Sequence, residues 1–355
     1  MPDLREVFEM VKQQTEPDLD SWSEQERRMR STQRKRKYGA LALVAALALV
    51  LAIVVANLEG RDEGAGPASD GQSPSPSLAL APGPSQLSFL DLATGETTGT
   101  GLVPGASEVD VSGDGTKMTF VDTTGAVAVA DVDGSNPQPF VHTISAQDPT
   151  APRWSPDGTE IVFQRGETRD RIGNLFVLDV ASGRVEQITD LPQVKVGLYY
   201  MAPTFSADGR SVLFTLPTVV GSGPNGRELR WDLWTVPSSG GGATRLVKNA
   251  GFPDAEPNGD SITFVALQGG SSDVDPTFGD VYVANSDGSG VRKLASGDAW
   301  LPRWSPDGSQ IAFADGSKAA MLVVDVVTGD LRKVYDSDEW PEWVDQHTMI
   351  IDLSD

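Results

Sequence analysis

The sequence predicts an all-β fold, a six-bladed β-propeller closed by pairing of its N- and C-terminal strands and preceded by a single transmembrane helix. Three observations carry this. A hairpin pattern recurs six times, a second hairpin type follows each of the first five copies, and the outer hairpin missing from the last unit lies ahead of the first. Periodic four-stranded units of about 40–50 residues are the signature of propeller blades.

Composition narrows the function classes. The 355 residues include 28 Lys+Arg, 50 Asp+Glu, 2 His and no Cys. Without Cys there is no thiol nucleophile, iron-sulfur cluster or Cys-type zinc site, and the exported fold must stand without disulfides. His142 and His347 leave little imidazole chemistry. A net charge of -22 argues against nucleic acid, whose binding rests on Lys and Arg neutralising phosphates.

Charge is divided at Tyr38. Residues 1–37 hold nine basic and eight acidic residues, leaving 19 and 42 for the remainder. Residues 38–58 (YGALALVAALALVLAIVVANL) carry no charge and, as a helix, would span about 31 Å, the thickness of a hydrocarbon core. Arg27, Arg28, Arg30, Arg34, Lys35, Arg36 and Lys37 precede this run, and Glu59, Asp62 and Glu63 follow it. The positive-inside rule then predicts a single-pass membrane protein with residues 1–37 as a cytoplasmic tail and the remainder extracytoplasmic. The alternative is a signal peptide cleaved after Ala56, which the length of the apolar run and of the leader disfavours. In the tail, Leu4, Val7, Phe8 and Val11 fall at helical spacing, suiting a peripheral helix or a docking segment for a cytoplasmic partner.

Residues 59–85 contain five Pro, five Gly and five Ser, too little apolar surface to offset chain entropy, and read as a disordered tether. The propeller is expected over 86–355.

Its strongest copies are PRWSPDGTEIVF (152–163) and PRWSPDGSQIAF (302–313), with PTFSADGRSVLF (203–214) a looser third. Weaker copies occupy 109–120, 253–264 and 341–351. In Ser-Pro-Asp-Gly, Pro fixes φ, Asp bonds back to nearby amides and Gly accepts positive φ, so each copy reads as a hairpin. The second hairpin type is clearest at 175–189 and 321–334, with relatives at 126–141, 232–247 and 280–295. The sixth unit has its inner hairpin only, and residues 87–99 match the outer type, with Asp91 and Gly95 in the places of Asp179 and Gly183. Pairing the two ends would remove the exposed edges of an open array.

The P-x-W-S-P-D-G-x-x-I-x-F pattern resembles the WD40-like (PD40) repeat of the TolB-type six-bladed β-propellers, also found beside the catalytic domains of prolyl oligopeptidase relatives. The resemblance covers 86–355 and implies architecture and a binding habit. A TolB-type N-terminal domain is replaced here by tail, anchor and tether.

Two candidate surfaces follow. Turns inside the hairpins emerge on one face and joining segments on the other, where the long connections 166–174, 190–202, 217–231 and 267–279 are expected as loops. Tyr199, Tyr200, Trp231, Phe252, Trp300 and Trp340 lie on or beside that long-loop face, as contacts for protein, peptide or glycan or as plugs between blades. The residue before each repeat's aromatic is polar in all six units: Asp110, Arg153, Thr204, Asp254, Arg303 and Glu342. Strand alternation places these six around the axial channel, as inter-blade ion pairs or as a ligand-reading ring.

No cofactor or metal is expected. DVDGSN (131–136) and NSDGSG (285–290) fall on outer hairpin turns, and neither they nor DVDPTFGD (273–280), the best placed for calcium, match an EF-hand. The sequence has no G-x-S-x-G, P-loop or H-E-x-x-H motif, so the expectation is a chain that is not an enzyme. The function expected is a membrane-tethered extracytoplasmic binding module for an envelope protein, peptide or glycan. Alternatives are a transmembrane sensor whose tail binds a transcription regulator, and a hydrolase or lactonase using a channel metal.

Overall fold

The computed structural model describes residues 87–101, 106–141, 149–166, 173–191, 201–223, 226–269, 276–336 and 341–352. The tail, anchor and tether expected over 1–85 lie outside the described residues, as do Tyr199, Tyr200, Trp340 and residues 273–275 of the 273–280 segment. Among the described residues the chain forms strands and no helix.

Strands β1 (Leu87–Asp91) and β2 (Thr97–Gly99) open the described chain. Next come β3 (Ser107–Val111), β4 (Lys117–Val121), β5 (Val127–Asp131) and β6 (Gln138–Val141), hydrogen-bonded in that order. A third group is β7 (Pro149–Trp154), β8 (Glu160–Arg165), β9 (Asn174–Asp179) and β10 (Val185–Gln187). A fourth is β11 (Thr204–Phe205), β12 (Ser211–Gly223), β13 (Gly226–Pro237) and β14 (Thr244–Lys248). Strands β15 (Ala250–Ala255), β16 (Ser261–Gln268), β17 (Thr277–Asn285), β18 (Arg292–Trp304), β19 (Gln310–Asp315), β20 (Ala320–Asp325) and β21 (Leu331–Tyr335) form one seven-stranded sheet. The last pair, β22 (Glu342–Trp343) and β23 (Thr348–Asp352), joins the first in the order β2-β1-β23-β22.

The fold is thus an all-β, propeller-like series of antiparallel sheets. The terminal pairing expected from the sequence is present, running from Leu87 opposite Asp352 to Asp91 opposite Thr348. The outer turn reproduces its relatives: Asp91 accepts from the amides of Ala93 and Thr94 as Asp325 does from those of Val327 and Thr328, and Gly95, Gly183 and Gly329 all have φ between 70° and 76°.

Two elements differ from expectation. The described residues of the connection 217–231 form a β-ribbon rather than a loop, with Pro217 opposite Trp231 and Gly223 opposite Gly226. Its run of Thr, Val and Leu suits paired strands, and the bulge falls at Val220, between Val219 and Gly221. The fourth and fifth copies of the repeat period are also not separated into two sheets, because β18 pairs with β17 at one end and with β19 at the other.

The core follows from the repeat. Its closing Phe is essentially solvent-free as Phe120, Phe163, Phe214 and Phe313, and nearly so as Phe264. Burying each such ring contributes roughly 1.5–3 kcal/mol. Between the terminal sheet and its neighbour, Leu90, Met349 and Trp343 pack on Met321 and Val323.

Candidate functional site

The inner strands share a local device. In four of them the ladder slips between Ser107 and Asp110, Thr150 and Arg153, Gly251 and Asp254, and Trp300 and Arg303. Inside each slip sits a non-glycine residue in left-handed conformation: Glu108, Ala151, Phe252 and Leu301, with φ from 49° to 56°. Ala202 repeats the feature ahead of β11, with φ 44°. Each bulge falls two residues before a channel residue, and bulges re-aim side chains. Neighbouring side chains cap three of the kinks. Glu108 Oε2 accepts from the amide of Ala151 at 2.5 Å, Gln164 Oε1 from Met201 at 2.8 Å and Thr215 Oγ1 from Phe252 at 2.9 Å.

Asp110, Arg153, Thr204, Asp254, Arg303 and Glu342 all line one cavity of about 200 Å³. Its mouth is edged by Gly113, Pro156, Ala207, Asn258 and Pro306, which belong to the hairpin turns. The cavity therefore meets the tight-turn side, not the side of the long connections.

The turns themselves are built as the motif requires. In the 152–163 copy, Ser155 Oγ donates to Asp157 Oδ1 at 2.7 Å, the amide of Glu160 donates to Ser155 Oγ at 2.9 Å, and Gly158 has φ 70°. The copy Glu256-Pro257-Asn258-Gly259 departs from this, carrying its left-handed residue at Asn258.

Within the cavity, Arg153 Nη1 donates to Asp110 Oδ1 and, at 2.6 Å, to Glu342 Oε2. Arg303 Nε lies 3.5 Å from the same Glu342 oxygen. Each aspartate also clamps a later inner strand: Asp110 Oδ2 accepts from the amide of Trp154 at 2.6 Å, and Asp254 Oδ2 from that of Trp304 at 2.8 Å. Burial pushes Asp254 up to about 7, with Arg153 pulling the other way and Asp110 adding repulsion. It also raises Glu342 well above the usual carboxylate range, opposed by Arg153 and reinforced by Asp110. Asp110 is likewise raised by burial against the pull of Arg153.

The aromatic set is less unified. Trp231 is buried in the core at 6% exposure, which removes it from any binding rim. Phe252 and Trp300 are half-buried on either side of Phe278, at ring separations of 5.6 and 6.3 Å. The carboxylates of the other calcium candidates are engaged in their turns, Asp131 with Lys117 and Asn136. Among the described residues no cluster of three or more His, Asp or Glu is arranged to hold a metal ion.

Residues 112–354 match the TolB beta propeller domain. The chain belongs to that family. A curated relative, the Tol-Pal system protein TolB of Methylococcus capsulatus, is 34% identical over 86 residues, which is 24% of this chain and 18% of that protein. The match thus spans under a fifth of the relative's length. Of solved structures, a protein described as TolB from Agrobacterium tumefaciens aligns over 77% of this chain and 98% of its own, at 18% identity and TM-score 0.57. Hydrazine synthase from Kuenenia stuttgartiensis aligns over 77% of this chain and 47% of its own, at 14% identity and TM-score 0.52.

The expectation that this TolB-family chain is not an enzyme is corrected by these comparisons. The fold recurs in hydrazine synthase, a protein named as an enzyme. Catalysis belongs to sites grafted on a fold, so missing hydrolase motifs do not exclude it.

Proposed function

We propose that this TolB-family propeller is a binding module of the cell envelope, taking an envelope protein, peptide or glycan at the turn-side mouth of its channel. We read it as six-bladed, counting the seven-stranded sheet as two blades that share β18. We further propose that residues 38–58 anchor it in the cell membrane, with residues 1–37 cytoplasmic and the propeller outside.

The observation that carries the reading is the convergence of six polar residues from six inner strands on one cavity at a ring of tight turns. Ligand sites favour concave positions with a few convergent polar groups on a rigid scaffold. Likeness to a protein named for the Tol-Pal system supports an envelope partner.

The test is capture. Full-length protein in detergent is immobilised and exposed to envelope extract, and retained partners are identified by mass spectrometry. Ala207→Arg, which crowds the mouth, should lower recovery at least tenfold, while Trp300→Ala, on the long-connection side, should leave it intact. The reverse pattern would move the site to the opposite face. Protease added to intact cells should reach the propeller and spare the tail; the opposite result removes the tethered orientation.

A further inference from the structure

The cavity wall carries four carboxylates, Asp110, Asp254, Glu256 and Glu342, and two guanidinium groups, Arg153 and Arg303. Arg153 serves Asp110 and Glu342, and Arg303 approaches Glu342. Asp254 receives only neutral donors, the Trp304 amide at 2.8 Å and Thr204 Oγ1 at 3.5 Å. Among the described residues no Lys or Arg lies within ion-pair distance of it. A largely desolvated carboxylate with no cation in contact is costly, and it either holds a proton or recruits a cation.

Two indole donors in the cavity wall lack acceptors, which the backbone carbonyls of an inserted polypeptide could supply. Trp154 and Trp304, 8% and 5% exposed, carry buried indole Nε1 atoms with no acceptor. The corresponding Trp343 Nε1 donates to Arg303 O at 3.1 Å, so the indole position can be satisfied in this fold. The volume of about 200 Å³ would hold about six waters at ~30 Å³ each, on the scale of one extended side-chain end.

We propose that the channel is a receptor for one aliphatic cation, the ammonium or guanidinium of a Lys or Arg side chain inserted by a polypeptide partner, with Asp254 as its counter-ion. The inference rests on the binding role above and specifies its ligand. Within the cavity the cation would reduce the excess of four carboxylates over two guanidinium groups. The charged groups around Asp254 are Asp110 on β3, Arg153 on β7, Arg303 on β18, Glu342 on β22 and Glu256 in the turn after β15, with the neutral Thr204 on β11. Since burial raises the proton affinity of Asp254 to mid-range, proton and cation compete for it.

The test uses full-length protein in detergent micelles and n-butylguanidinium as probe, with butylurea as neutral analogue and calcium chloride as a third arm. Calorimetric affinity for n-butylguanidinium should fall about tenfold from pH 8 to pH 6, following the ionised fraction of Asp254. It should be lost in Asp254→Asn and absent for butylurea. Equal binding of butylurea, an affinity flat across that pH range, unchanged binding in Asp254→Asn, or saturation by calcium in place of the guanidinium would each overturn the proposal. The pH series needs no variant, so it remains decisive if Asp254→Asn folds poorly. Partner capture that persists without guanidinium binding removes this inference and leaves the binding role. Guanidinium binding with no effect of Ala207→Arg on capture does the converse.

Discussion

Arg153 stands between Asp110 and Glu342, and its 2.6 Å bond to Glu342 joins inner strands 189 residues apart in sequence. Removing one partner of a buried pair leaves the others uncompensated, at a cost of about 3–5 kcal/mol. Arg153→Met should therefore be strongly destabilised in denaturant unfolding at pH 8. The loss should shrink at pH 5, where both carboxylates can take up protons.

Asp254 sets a second pH response. Its folded value of about 7 lies above the ordinary 3.8, so the native state binds more protons than the unfolded chain between these limits. Its contribution to stability is therefore greatest at low pH, declines as pH rises from about 4 to 7, and is level beyond. Asp254→Asn removes the decline. Relative to the parent, the variant should gain at pH 8 by up to about 4 kcal/mol and show little gain near pH 4, as read by urea midpoints at each pH.

Ala151 tests the repeated kink. At φ 55° and 2% exposure it is a buried alanine in left-handed conformation. Ala151→Gly should be neutral or stabilising by about 0.5–1 kcal/mol, since glycine adopts this geometry freely. Ala151→Val should lose about 2 kcal/mol or more through strain and overpacking. Equal midpoints for the two variants would show that the conformation is not maintained.

Leu90 probes the joined ends. It is fully buried against Trp343, Met349 and Met321. Leu90→Ala should cost about 2–5 kcal/mol. A loss below about 1 kcal/mol would mean that β1 contributes little to the folded sheet.

Much of this was legible because the repeat encodes it locally. Ser155 and Asp157 specify a turn, Phe163 the buried end of a strand, and the match of Asp91 to Asp179 the pairing of the termini. Arg153 and Asp254 could be assigned to one channel because alternation places every equivalent residue alike. The kinks were not visible, since Glu108, Ala151, Ala202, Phe252 and Leu301 have no one residue type in common and none is the glycine that positive φ favours. Repeat position alone could have exposed them. The ribbon 217–231 was hidden by Pro217 and its glycines, which read as loop although pairing across the ribbon prevails. The interior place of Trp231 follows from that ribbon, as its partner Pro217 sits across the ladder.

The continuous strand β18 has a mechanical consequence. Other neighbouring sheets are joined by separate connections and can part there while keeping their own ladders. The sectors on either side of β18 have no such seam, so loosening one disturbs the strand that the other needs. Amides from β16 to β20 should therefore exchange with solvent as one cooperative block, the most persistent arc of the molecule.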